Sequence, residues 1–447
     1  MASVMPPMTM LRGAMKLTRC LGVGVAGLVV LALVATLGVA GAAARVAKAH
    51  AADAQQCSES LPASRDPANP LDLPQAPGAN PLNGARLFVD GPAHGAAAGA
   101  IATRLGVNPA SLSDGESWAG FASEIAGGPL HAKVVGNPRV AHEVQELSKI
   151  ASEPEVQRLS AFSRGGGPGA IFLQAEKLLC HNLTADRGSV PILNAYFLHP
   201  AAGSCPKPAA LAAAGPVFRR RVDEFAQAID RRPAVLLLET DALGTSSCVK
   251  RVGSLPLWES YLRYEIERVS ALPHTVVYVE GGYSDANSVS YTAKALNAIG
   301  IRRIRGFYTN DTHLNWTANE VRWATRVSKL THGAHFIVNT AQNGRGPLLN
   351  KHPVTQGVED LCNPPGRALG PRPTTNTGFR LADAWLWTSP PGNSSGCGGG
   401  PKAACSGRRG APRSPVAPTA AAARMTAAGP TDRPAKQQRA SRGRVRD

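Results

Sequence analysis

Residues 335–347 read HFIVNTAQNGRGP, and this stretch decides the fold class. The apolar run at residues 336–338 predicts a short buried strand, because a continuous apolar segment bounded by turn residues is typical of one. Polar residues 339–344 follow at once. Parallel α/β folds deliver polar side chains to the carboxyl ends of their strands in this way, so we expect the chemistry at this edge.

Strand-like and helix-like segments alternate regularly before that stretch. Further strands are predicted at residues 190–198, 234–238, 275–279 and 304–308, and helices at 140–153, 170–180, 217–230, 258–272, 290–299 and 317–331. Apolar strands separated by helices of about this length indicate βαβ units and a parallel sheet covered on both faces. The pattern therefore predicts an α/β barrel, in which the residues just after each strand meet on one face.

Several carboxyl groups lie at these predicted strand ends. They are Glu239, Asp241, Glu280 and Asp311, with Asp285 slightly further on. We expect the segments that begin at residues 198, 239, 280, 309 and 339 to converge, because each follows a strand of the same parallel barrel. The histidines show no metal-ligand spacing, so no metal site is predicted.

The net charge of +17 is concentrated at the two ends of the chain. Residues 398–447 carry a net charge of +9 and residues 1–51 carry +5, which leaves +3 for everything between them. A nearly neutral body argues against nucleic-acid binding, which usually needs a basic face.

An uncharged run at residues 20–44 is rich in Val, Leu, Gly and Ala, and basic residues precede it. Ala-x-Ala sites follow at 49–51 and 52–54, which is typical of an export signal. The run is also long enough to span a bilayer, so a cleaved signal peptide and an uncleaved membrane anchor both stay open. We expect a protein outside the cytoplasm, secreted or anchored at its N-terminus, and we expect a monomer.

Several motifs recur in a fixed order in the C-terminal third of the chain. They are NTAQNG at 339–344, CNPPGRALG at 362–370, PTTNTG at 373–378, DAWLWTSPPGN at 383–393, and Cys397. This order resembles the C-terminal third of glycoside hydrolase family 6, the inverting β-1,4-glucanases and cellobiohydrolases. The resemblance covers roughly residues 80–397 and is strong from Val190 onward. It implies a distorted (β/α) barrel of parallel strands with an active-site cleft at their carboxyl ends, a β-glucan polysaccharide or oligosaccharide as ligand, and no cofactor.

Four segments follow from these patterns. Residues 1–51 are the signal peptide or signal anchor, 52–79 a linker, 80–397 the barrel resembling family 6, and 398–447 a basic low-complexity tail that we expect to be disordered. A change of reading frame in a GC-rich gene and a genuine tail that binds an anionic envelope would both give the composition of that tail.

An inverting glycosidase uses one carboxylic acid and one carboxylate on opposite sides of the scissile bond. By the resemblance, Ser204 and Asn339 occupy the usual acid and base positions, and neither side chain does that work near neutral pH. Asp241 and Glu280 are the candidate replacement pair. The substitutions favour an exported glucan-acting hydrolase with an impaired or inactive site. A working enzyme with the replacement pair, a non-catalytic glucan-binding protein and an envelope-bound structural protein are the alternatives.

The same motifs offer groups for holding sugar. Trp387 and Trp385 are candidate aromatic platforms for a pyranose face, and core packing is the alternative role for both. The polar candidates for reading sugar hydroxyls are Asn339, Asn343, Asn363, Asn376, Ser389 and Asn393.

Seven cysteines follow the export signal, and two pairs stand out. Cys362 and Cys397 bracket the last motif block, and the family resemblance also implies this pair. Cys205 and Cys248 each follow a strand and its loop, so a disulfide between them would join neighbouring loops. Free buried thiols are the alternative for both pairs.

Overall fold

The computed structural model describes residues 79–109, 115–160, 167–186, 188–347 and 366–392. In these residues seven parallel strands form one sheet in chain order. The strands are β1 (Gln157–Ser160), β2 (Ile192–Tyr196), β3 (Ala234–Leu238), β4 (Thr275–Glu280), β5 (Gly306–Thr309), β6 (His335–Asn339) and β7 (Ala382–Leu386). The amide of Val156, next to β1, donates to the carbonyl oxygen of Trp387, next to β7, at 2.9 Å. The sheet therefore curls until its two edges meet, as a distorted (β/α) barrel, and the predicted fold class is confirmed.

Helices cover the outside of the barrel and alternate with its strands. They are α5 (Ala170–Ala185), α6 (Leu198–Ala202), α7 (Pro208–Ile229), α8 (Ser246–Arg251), α9 (Leu255–Val269), α10 (Val289–Ile299) and α11 (Thr317–Leu330). Four more precede the sheet: α1 (Pro92–Leu105), α2 (Gly115–Ala126), α3 (His131–Val135) and α4 (Pro138–Ala151).

Strand β3 is apolar throughout because both of its faces are buried. On β3, Val235 and Leu237 point into the barrel, where they join Tyr278, Tyr308 and other interior side chains. Leu236 lies on the other face and packs with the helices. Successive residues of a strand point to opposite faces, so burial on both sides removes the usual alternation of apolar and polar residues.

The N-terminal helices form a separate cluster over one end of the barrel. Ile101 of α1 and Leu147 of α4 lie in a buried group that also contains Ala341 and Trp387. Ala341 lies two residues after β6, and Trp387 directly follows β7. The helices that precede the sheet therefore cover the carboxyl ends of its last two strands.

A buried ionic network holds the opposite end of the barrel. Asp383 accepts hydrogen bonds from Tyr278 Oη at 2.7 Å and from Arg305 Nε at 2.7 Å, and His335 Nδ1 lies 2.9 Å from its carboxylate. Asn80 Nδ2 donates to the Asp383 carbonyl oxygen at 2.7 Å. Arg305 lowers the pKa of Asp383 despite the opposing effect of burial. The network joins strands β4 to β7 near their amino ends and leaves the carboxyl ends for a functional site.

The Cys205–Cys248 disulfide is present, which confirms that prediction. Cys180 is also disulfide-bonded. Cys362 and Cys397 lie outside the described residues, as do the segments predicted to be the signal or anchor and the basic tail. Among the residues that the structure describes, no helix has the length and apolarity to cross a membrane.

Candidate active site

The chain leaves β3 in an unusual backbone conformation. Glu239 has φ 50° and Asp241 has φ 62°, both in the left-handed region. Residues with a side chain rarely adopt this conformation unless their surroundings fix it, and such positions concentrate at functional sites. The turn places the carboxyl group of Asp241 at the carboxyl end of the barrel.

Two hydroxyl groups hold one oxygen of Asp241. Tyr283 Oη donates to Oδ1, and Thr312 Oγ1 lies 2.8 Å from the same oxygen. The two hydroxyl oxygens are themselves 2.9 Å apart. No hydrogen bond from the described residues reaches Oδ2. Oδ1 is therefore the acceptor of this carboxyl group, and Oδ2 is the oxygen that can carry a proton when the group is protonated.

Burial and, to a smaller extent, the nearby charge of Asp311 raise the pKa of Asp241, which comes to about 6. The Thr312 hydrogen bond and the electrostatic interactions with His313 and Arg158 act against this rise. A carboxyl group with a pKa near 6 keeps a substantial protonated fraction at mildly acidic pH. This is the property that a general acid needs.

Tyr283 is held in place by its own neighbours. Its ring stacks on that of His313, with centroids 3.7 Å apart and planes inclined by 11°. His313 Nδ1 lies 2.9 Å from Asp285 Oδ1. The backbone of Gly244 packs so closely on the Tyr283 ring that any larger side chain there would collide with it. The hydroxyl that contacts Asp241 therefore has a fixed position.

A second carboxylate, Asp311, lies at the end of β5. Its Oδ1 accepts a hydrogen bond from Thr388 Oγ1, and its backbone carbonyl oxygen accepts one from Asn339 Nδ2 at 3.0 Å. Arg158 Nη2 lies 3.5 Å from Oδ2. Arg158 also lies over the ring of Tyr196 in a cation–π contact, with its guanidinium carbon 5.2 Å from the ring centroid. Strands β1, β2, β5, β6 and β7 thus contribute to one polar group of side chains.

Tyr196 completes this group at the end of β2. Burial raises its pKa, and the negative charge of Asp241 raises it further. The phenol therefore stays neutral near neutral pH.

Glu280 has a different environment from Asp241. Its side chain is 0% exposed. Oε2 accepts hydrogen bonds from the amides of Leu243 at 2.7 Å and Gly244 at 3.0 Å, and Oε1 accepts one from Gly282. Burial raises its pKa to about 8, and the charge of Asp241 acts in the same direction. Glu280 anchors the loop after β3, which argues against the predicted Asp241–Glu280 acid/base pair.

Neighbouring strand ends repeat this arrangement. Glu239, at the end of β3, accepts hydrogen bonds from the amides of Phe197 and Leu198, which follow β2, at 2.8 and 3.0 Å. Glu320, on α11, accepts one from the amide of Ser284, which follows β4, at 3.1 Å. Buried carboxyl groups therefore fix three successive loops of the site, and the predicted convergence of the strand ends is confirmed.

Ser204 and Asn339 take no part in the polar group as proton-transfer residues. Ser204 is exposed and lies beside the disulfide of Cys205. The amide of Asn339 is used by the loops around it: Nδ2 donates to the carbonyl oxygens of Asn310 and Asp311, and Oδ1 accepts from the amide of Thr388 at 3.0 Å. Asn339 therefore holds the ends of β5, β6 and β7 together.

The two tryptophans are buried. Trp385 is 7% exposed and contacts Phe379, and Trp387 is 1% exposed within the N-terminal cluster. Neither ring offers an open face to a sugar in this structure. Both side chains therefore pack in the core, which was the alternative role, and they do not form the predicted platforms for a sugar ring.

The polar sugar-binding candidates separate into different places. Ser389 lies beside Asn339, with Oγ 3.1 Å from Asn339 Nδ2. Asn343 is buried and donates to the carbonyl oxygen of Asn315 at 2.8 Å. Asn376 is exposed and lies in the turn next to Thr375, whose carbonyl oxygen bonds Asn80 near the amino end of β7, away from Asp241. Asn363 and Asn393 lie outside the described residues.

Sequence reasoning missed most of the neighbours that shape Asp241. Arg158 belongs to a polar four-residue strand without a pattern, and Thr312 and Thr388 are ordinary loop residues by type. Tyr283 lies in the segment that begins at Glu280, which the sequence predicted to converge with the other strand ends, although no contact with Asp241 was predicted for it. Within the described part of the chain, no group of His, Cys, Asp or Glu is arranged to hold a metal ion.

Residues 207–423 match the family model described as "Glycosyl hydrolases family 6". Endoglucanase A of Cellulomonas fimi is 31% identical over 263 residues, 58% of this chain and 53% of that protein. Endoglucanase 1 of Streptomyces sp. (strain KSM-9) is 27% identical over 278 residues, 60% of this chain and 72% of that protein. The chain spans about half the length of the first curated relatives that it matches.

Solved structures agree with this match. The endoglucanase Cel6 from Mycobacterium tuberculosis, in complex with methyl-cellobiosyl-4-deoxy-4-thio-β-D-cellobioside, has a TM-score of 0.52 and 29% identity, over 64% of this chain and 90% of that one. Endoglucanase Cel6B from Humicola insolens has a TM-score of 0.54 at 18% identity, over 78% and 98%, and shows the shared fold. Residues 207–423 therefore resemble glycosyl hydrolase family 6, and the chain shares its barrel fold with related endoglucanases.

Proposed function

We propose that this protein binds β-1,4-glucan and hydrolyses it slowly, with Asp241 as the proton donor. One observation carries the proposal: Asp241 lies in the turn after a barrel strand, with Oδ1 held by two hydroxyls and with its pKa raised to about 6. The names of its relatives, endoglucanases and a probable 1,4-beta-D-glucan cellobiohydrolase, support the choice of substrate.

The carboxyl group of Asp241 is suited to one chemical step. Because Oδ1 takes the hydrogen bonds of Tyr283 and Thr312, the proton resides on Oδ2. Oδ2 then gives that proton to the glycosidic oxygen as the bond to the anomeric carbon breaks. Tyr283 acts as a positioning residue in this step, since its ring is fixed by the stack on His313.

The slow rate follows from the residues at Ser204 and Asn339. By the resemblance, these are the usual acid and base positions, and here they carry a hydroxyl and an amide. A second candidate function, glucan binding without hydrolysis, is favoured by one observation: both amide atoms of Asn339 are committed to loop contacts. The two functions differ in whether a glucan is shortened.

The proposal includes export from the cytoplasm. The disulfide between Cys205 and Cys248 supports it, since disulfides persist in oxidising compartments and are rare in the cytosol.

Reducing-sugar release by the full chain tests the proposal. Soluble β-1,4-glucan and mixed β-1,3/1,4-glucan are the substrates, and D241N is compared with wild type. D223N is the matched control, because Asp223 is a carboxylate on α7 that pairs with Arg268. We expect slow release by wild type and D223N and a loss of about 100-fold or more in D241N. Release by D241N at the wild-type rate would reject Asp241 as the donor, and glucan binding without release would favour the second candidate.

A further inference from the structure

The geometry points to Asp311 as the carboxylate that activates the attacking water, a role that rests on the proposed hydrolytic function. An inverting glycosidase needs such a group in addition to the proton donor. Glu280 is held by backbone amides and Asn339 is an amide, so neither fits the role. Asp311 is the carboxylate that remains beside Asp241 in the described polar group.

Asp311 is built into the site with one oxygen fixed and one unused. Thr388 Oγ1 donates to Oδ1, which sets the orientation of the carboxylate. Oδ2 is buried and takes no hydrogen bond from the described residues. A buried carboxylate oxygen without a hydrogen bond is costly, and such groups usually bind ordered water. Oδ2 is therefore the place where this site holds a water molecule.

Arg158 stabilises the buried carboxylate of Asp311. Its Nη2 lies 3.5 Å from Oδ2, which is close enough for an ion pair but too long for a good hydrogen bond. Arg158 is itself held by Asn194, whose Oδ1 accepts from Nε at 2.9 Å. The positive charge offsets part of the cost of burying the anion without occupying its lone pairs.

Asp311 and Asp241 are coupled through a short connection. Thr312 directly follows Asp311 in the chain, and its hydroxyl lies 2.8 Å from Asp241 Oδ1. The negative charge of Asp311 also favours the protonated form of Asp241. The ionised state of Asp311 therefore favours the protonated state of Asp241. A general base and a general acid in one site need these two states at the same time.

Asp311 Oδ2 accepts a proton from water while the water oxygen forms a bond to the anomeric carbon. The bond from that carbon to the glycosidic oxygen breaks, and this oxygen takes the proton of Asp241 Oδ2. The products are a sugar with inverted configuration at the new reducing end and a shortened chain with a free hydroxyl. Asp311 is left protonated and Asp241 ionised, and exchange with solvent restores both.

A purely structural role for Asp311 predicts different behaviour. In that case the carboxylate only pairs with Arg158 and receives Thr388, so removing it lowers stability and activity together. An external nucleophile would not repair the loss, because no base would be missing. Chemical rescue therefore separates the two roles.

The test uses the full chain and 2,4-dinitrophenyl β-cellobioside, whose leaving group needs no proton. D311A and D311N are compared with wild type and with the D223N control, with and without sodium azide. We expect D311A to lose about 100-fold or more in rate, in line with the loss of a general base. Azide attacks without a base, so it should restore dinitrophenolate release by D311A and give α-cellobiosyl azide. In D311N the amide fills the space, and we expect no rescue.

Two results would overturn the role of Asp311. One is a D311A rate within about threefold of wild type, far from the loss of 100-fold or more that a missing base causes. The other is a folded D311A, checked by its melting curve, that is slow and yields no glycosyl azide. Both differ from a failure of the proposed function, in which wild type itself hydrolyses neither glucan nor the aryl cellobioside, and that result would reject water activation by Asp311 as well.

Discussion

Asp241 differs from the other strand-end carboxyl groups in what surrounds its two oxygens. Glu280 receives backbone amides on both oxygens, whereas Asp241 receives two side-chain hydroxyls on Oδ1 alone. The first arrangement makes a structural anchor and the second leaves one oxygen for proton transfer. Residue type and position after a strand are the same in both cases, so the difference lies in the contacts.

Replacing Tyr283 by Phe tests the hydroxyl contact to Asp241. A hydrogen bond to the ionised carboxylate favours that form, so its loss raises the pKa of Asp241 above about 6. We expect the alkaline limb of the pH–rate profile to move to higher pH by about one pH unit, from the typical strength of a charged hydrogen bond. The other groups that act on Asp241, namely Thr312, Asp311, His313 and Arg158, keep their side chains in Y283F. An unmoved or more acidic limb would contradict the assigned contact.

Replacing Glu280 by Gln tests its role as an anchor. One oxygen becomes an NH2 group that faces backbone amides, so at least one of the three hydrogen bonds is lost. We expect a destabilisation of about 1–3 kcal/mol in urea unfolding, from the cost of an unpaired buried donor. A variant with wild-type stability and greatly reduced glucan cleavage would instead support the catalytic role that the sequence suggested.

At the scale of elements, the loops at the carboxyl end depend on covalent and polar links more than on helix or strand propensity. The disulfide joins the loop after α6 to α8, and the carboxylate anchors join each strand end to its neighbour. The positive φ angles of Glu239 and Asp241 persist because these links fix the turn. The site is therefore rigid even though it lies on loops.

Removing the disulfide tests the contribution of the first link. Cys205 and Cys248 are 43 residues apart in sequence. In the chain-entropy model, a loop of this length contributes about 4 kcal/mol. We expect C205S/C248S to lose roughly this free energy of unfolding in urea, compared with wild type in the absence of reductant because Cys180 is also disulfide-bonded. Equal stability of the two proteins would show that the loop is held without the bond.

The elements that the sequence predicted well are buried strands with a continuous apolar sequence. β3, β4 and β6 are continuous apolar runs, and their predicted positions agree with the structure to within one residue at each end. β1 was missed because Gln157–Ser160 is short and polar, and α1 because its Ala- and Gly-rich sequence lacks a clear apolar period. The helix predicted at 217–230 begins earlier in the structure, at Pro208, which is a favourable first residue of a helix.

The site was predictable only as far as strand ends. The sequence placed Asp241, Asp311 and Asn339 on one face of the barrel, and their hydrogen bonds and charges confirm that they lie together. It did not predict the burial of Trp387, because the helices that cover this residue come from a part of the chain with little pattern. Long-range packing decides whether a side chain faces a ligand or the core, and a local motif does not report it.

At the scale of the whole molecule, buried carboxyl groups make stability depend on pH. Burial raises the pKa values of Glu155 and Glu280 from 4.5 to about 8. The folded state then binds more protons than the unfolded state between these values, so its stability falls as the pH rises. His199, whose pKa burial lowers to about 4, acts in the opposite sense only below about pH 6.5. The carboxyl groups therefore dominate above that pH.

We expect the free energy of unfolding in urea to decrease between about pH 6.5 and 8, with each such group contributing up to about 1.4 kcal/mol per pH unit. E155Q is the informative variant, because Glu155 Oε2 has no hydrogen-bond partner in the described residues and an amide mimics the neutral acid. The decrease should be shallower in E155Q than in wild type. A stability that is constant or rises across this range would contradict the neutral state of the buried carboxyl groups.

The most direct test of Asp241 as proton donor compares two substrates with different needs for a proton. Cleavage of cellotetraose requires protonation of the leaving oxygen, whereas 2,4-dinitrophenyl β-cellobioside requires none. If Asp241 is the donor, D241N loses about 100-fold or more on cellotetraose and less than about tenfold on the aryl cellobioside, with wild type active on both. Equal losses on the two substrates, or no cleavage of either by folded wild type, would contradict the central claim.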